Sequence, residues 1–203
     1  MVRTPAADDE VSANSHALPT GGAVRPIVRW GTPVMHEKAT PITAYDEDLR
    51  ALVADMTATM YAADGVGLAA CQIGVDAAVF VFDCPDANGV ITRGVVCNPS
   101  LHLPEGRDRV MDVDDEGCLS YPGAFVECAR PDVARVSGFD IDGRPVEFEG
   151  DGLLARCLQH ETDHLYGTVF GDRVTARNRK KLRKQMEAAA DDFPDQWPSQ
   201  IGT

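Results

Sequence analysis

A chain of 203 residues with 44% hydrophobic and 25% charged residues has the composition of one globular domain on the prior of roughly 100–200 residues each. No apolar run approaches the roughly 18–20 residues of a membrane span, which excludes a transmembrane protein. Nineteen Lys and Arg against 32 Asp and Glu give a net charge of −13 and argue against DNA as a partner, and six Cys are too few for a disulfide scaffold.

Residues 1 to about 25 are rich in Ala, Ser, Pro, Gly and Asp without apolar periodicity and are expected as a flexible extension to a single domain over residues 26–190. The start lacks the cationic and apolar regions of a secretory signal, so the chain is expected in the cytoplasm with reduced thiols. From Asp46 to Asp64, Leu49, Leu52, Val53, Met56 and Met60 recur at spacings of three and four, predicting an amphipathic helix that Gly65 ends. Strands are predicted over Ala77–Phe82, Val90–Cys97, Ala124–Cys128, Val133–Ile141 and Val146–Glu149, with Asp142-Gly143 as a type I′ hairpin turn. A second helix is predicted from an Asp151 N-cap to Leu165, and a third over Thr175–Ala190, followed by an acidic tail over 191–203. Strands grouped between helices read as an α+β fold.

The second helix carries His160-Glu161-Thr162-Asp163-His164, an HExxH pattern. Its two imidazoles at i and i+4 share a face about 5–6 Å apart at Cβ, a spacing that lets both reach one ion. Glu161 lies between them, placed to take a proton from an activated water. Leu153, Leu154, Cys157, Leu158 and Leu165 make the helix apolar on nearly every side, so the polar residues on it need partners. A catalytic site needs a third protein ligand. The HExxHxxGxxH continuation fails because Phe170 stands at its last position. Glu187, on a Lys/Arg-rich helix, and Cys118, after an acidic loop at Asp112, Asp114 and Asp115, remain as candidates, and Cys118 is the better one. Asp163 either orients a ligand or faces solvent.

Gly65-Val66-Gly67-Leu68-Ala69-Ala70-Cys71-Gln72, Glu116-Gly117-Cys118-Leu119-Ser120 and Gln159-His160-Glu161-Thr162-Asp163-His164-Leu165 resemble, in this order, the three motifs of the peptide deformylases. The likeness runs from about Arg25 to Asp172 and implies mostly antiparallel strands packed around the HExxH helix. It implies metal ligation by Cys118, His160 and His164, acid/base work by Glu161, and oxyanion donation from the Gln72 side chain and the Leu119 backbone. The implied metal is ferrous iron, replaceable by zinc, nickel or cobalt, and the implied substrate is an N-formylmethionyl nascent peptide. Along the ligand face, Leu153 and Cys157 are expected to line the methionine pocket, with Val66 and Gly67 opposite. Cys71, Tyr121 and Gly123-Ala124-Phe125 depart from the family's usual residues at the rim of the cleft. Seven of the nineteen basic residues fall between Arg173 and Lys184, either a solvated helix face or a contact for ribosomal RNA. An HExxH metalloprotease and a non-catalytic deformylase-like ribosome-binding protein are the rival readings.

Overall fold

A computed structural model describes residues 11–198. The first helix, α1, spans Glu47–Ala62; the Asp46 side chain accepts from Leu49 N, and Leu49, Val53, Met56 and Met60 form its buried stripe. Then come β1 (Gly67–Ala69), β2 (Val79–Pro85), β3 (Ile91–His102), β4 (Met111–Gly117), β5 (Phe125–Pro131), β6 (Val133–Phe139) and β7 (Pro145–Asp151). Helix α2 (Gly152–Leu165) follows β7 directly, a single turn α3 (Phe170–Arg173) comes next, and α4 spans Ala176–Ala188. Five strands form one antiparallel sheet in the order β1-β2-β3-β6-β7, and β4 pairs with β5 in a separate two-stranded ribbon. This is an α+β fold.

Strand β2 shows how the layers are set. Phe80, Phe82 and Cys84 point into a cluster shared with Leu154 and Leu158 of α2, while Val79 and Val81 join Val53 and Met56 of α1 on the other face. Burial on both sides explains why β2 reads as an unbroken apolar run rather than an alternation. Every residue of α2 from Leu154 to Leu165 is buried.

Four expectations change. The acidic segment before Cys118 is not a loop but β4, paired Asp114↔Cys128 and Glu116↔Val126. Its carboxylates up to Asp115 sit on an outer ribbon in contact with water, so the strand lacks the apolar alternation that marks one in sequence. Strand β3 runs past Cys97 to His102, because Asn98, with φ of 52°, and Pro99 make a bulge instead of a stop. The hairpin between β6 and β7 is not a two-residue type I′ turn. Asp140 O accepts from Gly143 N, Gly143 alone takes the left-handed conformation with φ of 77°, and the Asp140 carboxylate accepts from Asp142 N and Arg144 N. Asp151 precedes α2, but its side chain accepts from Ala87 N rather than capping the helix.

Both ends of the described chain are tied down. Residues 1–10 lie outside the described residues, but where the sequence predicts a loose extension to residue 25, Ser12 N and His16 N donate to the carbonyls of Ile91 and Arg93. Ala23 N and Arg25 N bond Asp55 and Thr59 of α1. Within the expected acidic tail, Trp197 is buried with Phe193 packed against it, and Trp197 O accepts from Ile27 N. Apolar side chains that look isolated in the sequence find the α1 side of the core. Among the described residues no helix is long and apolar enough to cross a membrane.

Candidate metal centre and active site

Three segments meet at one point. The end of β4 turns at Gly117 and presents Cys118; α2 presents His160 and His164; the turn after β1 presents Gln72. His160 Nε2 and His164 Nε2 are 3.1 Å apart, and Cys118 Sγ is 3.4 Å from His164 Nε2. All three donors lie within 4.8 Å of one another and all three residues are buried. Glu187 is exposed on α4, so Cys118 and not Glu187 joins the histidine pair. Two imidazole nitrogens and a sulfur facing one another, shielded from water, form a soft-to-borderline donor set that fits a divalent cation such as iron or zinc.

The imidazoles are oriented from behind. His160 Nδ1 lies 2.7 Å from Glu116 Oε1, which makes Nδ1 the protonated nitrogen and leaves Nε2 as the donor toward the cluster. Arg130 grips both oxygens of Glu116 at 2.7 Å and reaches Asp163 at 2.9 Å, and Arg173 closes on Asp163 from α3. Asp163 therefore faces an inward ion network, not solvent. Burial would raise the Glu116 carboxyl, but the hydrogen bonds and charges of Arg130 and His160 hold it well below the usual carboxylate range. Removing one partner of such a buried pair costs about 3–5 kcal/mol.

Glu161 is buried, and its Oε2 has no hydrogen-bond partner among the described residues. Burial pushes its carboxyl up to about 7. Gln72 Oε1 accepts from Ala69 N at 2.9 Å, which turns its Nε2 toward Cys118 Sγ and Ser120 Oγ, each 3.5 Å away. The amide donor thus points at the cluster. Leu119 follows Cys118 and lines an adjoining cavity of about 330 Å³, apolar at Leu119, Phe125, Phe193 and Trp197.

The four expected pocket residues lie in one neighbourhood but do not all face the same space. Gly67 lies against Glu161, Cys157 Sγ approaches Val66 O at 3.6 Å, and Cys157 is buried beside them. Leu153 sits at the margin: it packs, half-buried, against the apolar cluster that holds Val66 and Cys157, and it also lines another cavity of about 480 Å³ with Asp112, Asp114, Asp115, Asp132 and Asp151, whose lining includes none of the three donors. Of the residues departing from the family pattern, Tyr121 stacks on Trp30 at 5.4 Å and meets Phe170 edge-on at 5.0 Å. Glu116 entered the sequence reading without a role, and Arg130 and Arg156 did not enter it. Arg156 had a signal: a cation on an otherwise apolar helix demands a buried anion.

A sequence profile described as polypeptide deformylase matches residues 24–180. Peptide deformylase 1 of Streptomyces avermitilis is 50% identical over 174 residues, 85% of this chain and 80% of the relative. The peptide deformylase of Mycolicibacterium paratuberculosis is 47% identical over 175 residues, 82% of this chain and 89% of the relative. Among solved structures, a peptide deformylase from Legionella pneumophila matches with a TM-score of 0.74 at 37% identity, covering 83% of this chain and 96% of its own.

Proposed function

The chain belongs to the peptide deformylase family, enzymes that remove the formyl group from the N-termini of nascent polypeptides, and on that premise we propose how its residues divide the work. Cys118, His160 and His164 hold one divalent ion, and the observation that carries this is the convergence of their three donor atoms within 4.8 Å. Ferrous iron is the resident ion in this reading, with zinc, nickel or cobalt as substitutes. When bound, the ion supplies Lewis acidity that brings water toward deprotonation near neutral pH.

Glu161, unpartnered at Oε2 and raised to about 7, takes the proton of the attacking water and passes it to the amine as the C–N bond breaks and formate leaves. The Gln72 amide and the Leu119 backbone N–H donate to the formyl oxygen as charge builds on it, an arrangement worth about 2.7–4 kcal/mol per donor. Gly67, having no side chain, leaves room for Glu161, and Val66 and Cys157 complete the wall beside it. Six free, buried cysteines support a cytoplasmic site of action, and the basic face of α4, where Arg177, Lys180, Lys181 and Lys184 border one surface hollow, is in this reading a contact for ribosomal RNA.

The test is formate release from formyl-Met-Ala-Ser by iron-loaded protein, with metal content measured on the same sample. Deformylation without cleavage of internal peptide bonds is expected. Internal cleavage would favour the metalloprotease reading, and metal without turnover would favour a non-catalytic module.

A further inference from the structure

Arg156 stands one turn before His160 on α2, and its side chain is 4% exposed. A guanidinium in that position stays charged, so it must be matched by anions. Nη1 donates to Glu116 Oε2 at 2.9 Å and to Cys128 O at 2.8 Å, and Nη2 donates to Asp112 Oδ2 at 2.8 Å. Glu116 is the carboxylate that meets His160 Nδ1. Its Oε1 takes His160 Nδ1 and Arg130 Nη2, and its Oε2 takes Arg130 Nε and Arg156 Nη1. A carboxylate offers about four acceptor positions, and here each is used.

The two arginines differ in where they come from. Arg130 reaches Glu116 from β5, the strand paired with β4, and meets α2 through a second carboxylate, Asp163, so it links Glu116 to that helix only indirectly. Arg156 reaches it from α2, the helix that carries His160. We propose that Arg156 is a positioning residue of the metal centre: by tying Glu116 to α2 it fixes the orientation of His160 and so the aim of His160 Nε2 at Cys118 and His164. The inference rests on the metal-centre reading above.

The test compares wild type, Arg156→Met, which keeps the apolar stem, Arg156→Lys, which keeps the charge without the fork, and Asp112→Asn, which alters only the outer contact. Each is loaded with Co²⁺; metal loss to a chelator, the visible Co²⁺ spectrum and Tm with and without metal are measured. Arg156→Met is expected to lose metal about 10–100-fold faster, with an altered spectrum and a smaller metal-induced rise in Tm. Arg156→Lys should fall between it and wild type, and Asp112→Asn should match wild type. Removing a nearby positive charge would by itself tighten cation binding, so the expected sign separates positioning from bulk electrostatics. Wild-type retention and spectrum in whichever Arg156 variants fold, with Tm lowered equally in apo and loaded protein, would overturn the proposal. Wild-type protein that takes up no metal would refute the metal-centre reading itself and this inference with it.

Discussion

Replacing Gly67 by alanine probes whether the Glu161 carboxylate works only where it now lies. A Cβ on Gly67 would stand 2.5 Å from Glu161 Oε1, 2.9 Å from Glu161 Cδ and 2.8 Å from Cys157 Sγ. Ordinary contact between heavy atoms begins near 3.5 Å, so the carboxylate must retreat by about 1 Å. Gly67 lies in β1, paired with Phe82, and its backbone is not left-handed, so alanine can follow the same path. The stability cost is that of modest overpacking, about 1–3 kcal/mol. The catalytic cost is larger, because a misplacement of about 1 Å lowers turnover by about 10²-fold. The assay is kcat for formate release at measured metal content, with Tm recorded. Gly31→Ala, where nothing lies within 4 Å of the added methyl, is the control and should leave kcat unchanged. A Gly67→Ala enzyme with wild-type kcat at equal metal content would refute the assignment of Glu161 in its present position.

Glu161→Gln should lower turnover by about 10²–10⁴-fold while metal content stays constant, since the carboxylate moves a proton and is not a ligand; metal loss in this variant would make it one. Cys118→Ser should purify with little metal, because a neutral hydroxyl replaces a thiolate, whereas Cys128→Ser, outside the donor cluster, should keep it. Equal metal in both, by elemental analysis, would place the third ligand elsewhere. Replacing Arg177, Lys180, Lys181 and Lys184 with Gln should leave hydrolysis of a short formyl-peptide unchanged and weaken salt-dependent co-sedimentation with ribosomes. Identical sedimentation of the two proteins would remove α4 from any ribosome contact.

Local rules made much of this molecule legible. The stripe Leu49, Val53, Met56, Met60 is a property of α1 alone, and the structure buries it as the spacing requires. The His160–His164 pair is likewise internal to one helix, so its shared face follows from 3.6 residues per turn whatever surrounds it. The outer strand β4 was not legible, because its polar side chains meet water and only pairing with β5 makes it a strand. Nor was the docking of Trp197 against Ile27, a contact between distant ends of the chain.

Inside the site the division is the same. Helical periodicity put Leu153, Cys157, His160 and His164 in one line, and Cys157 and the histidines are buried beside the metal-donor cluster while Leu153 is only half-buried at its margin. Leu153 lies in the first turn of α2, before the others, and also opens on the aspartates of a different cavity. What orients His160 is a carboxylate 44 residues away, held by Arg130 on β5 and by Arg156 on the same helix as the imidazole. Residue type and spacing determined which groups can bind a metal, because helix geometry is fixed by the backbone. Which anion meets which buried cation was decided only by the tertiary structure, because strand register and helix docking set those distances, and charges removed from water must be matched where they land.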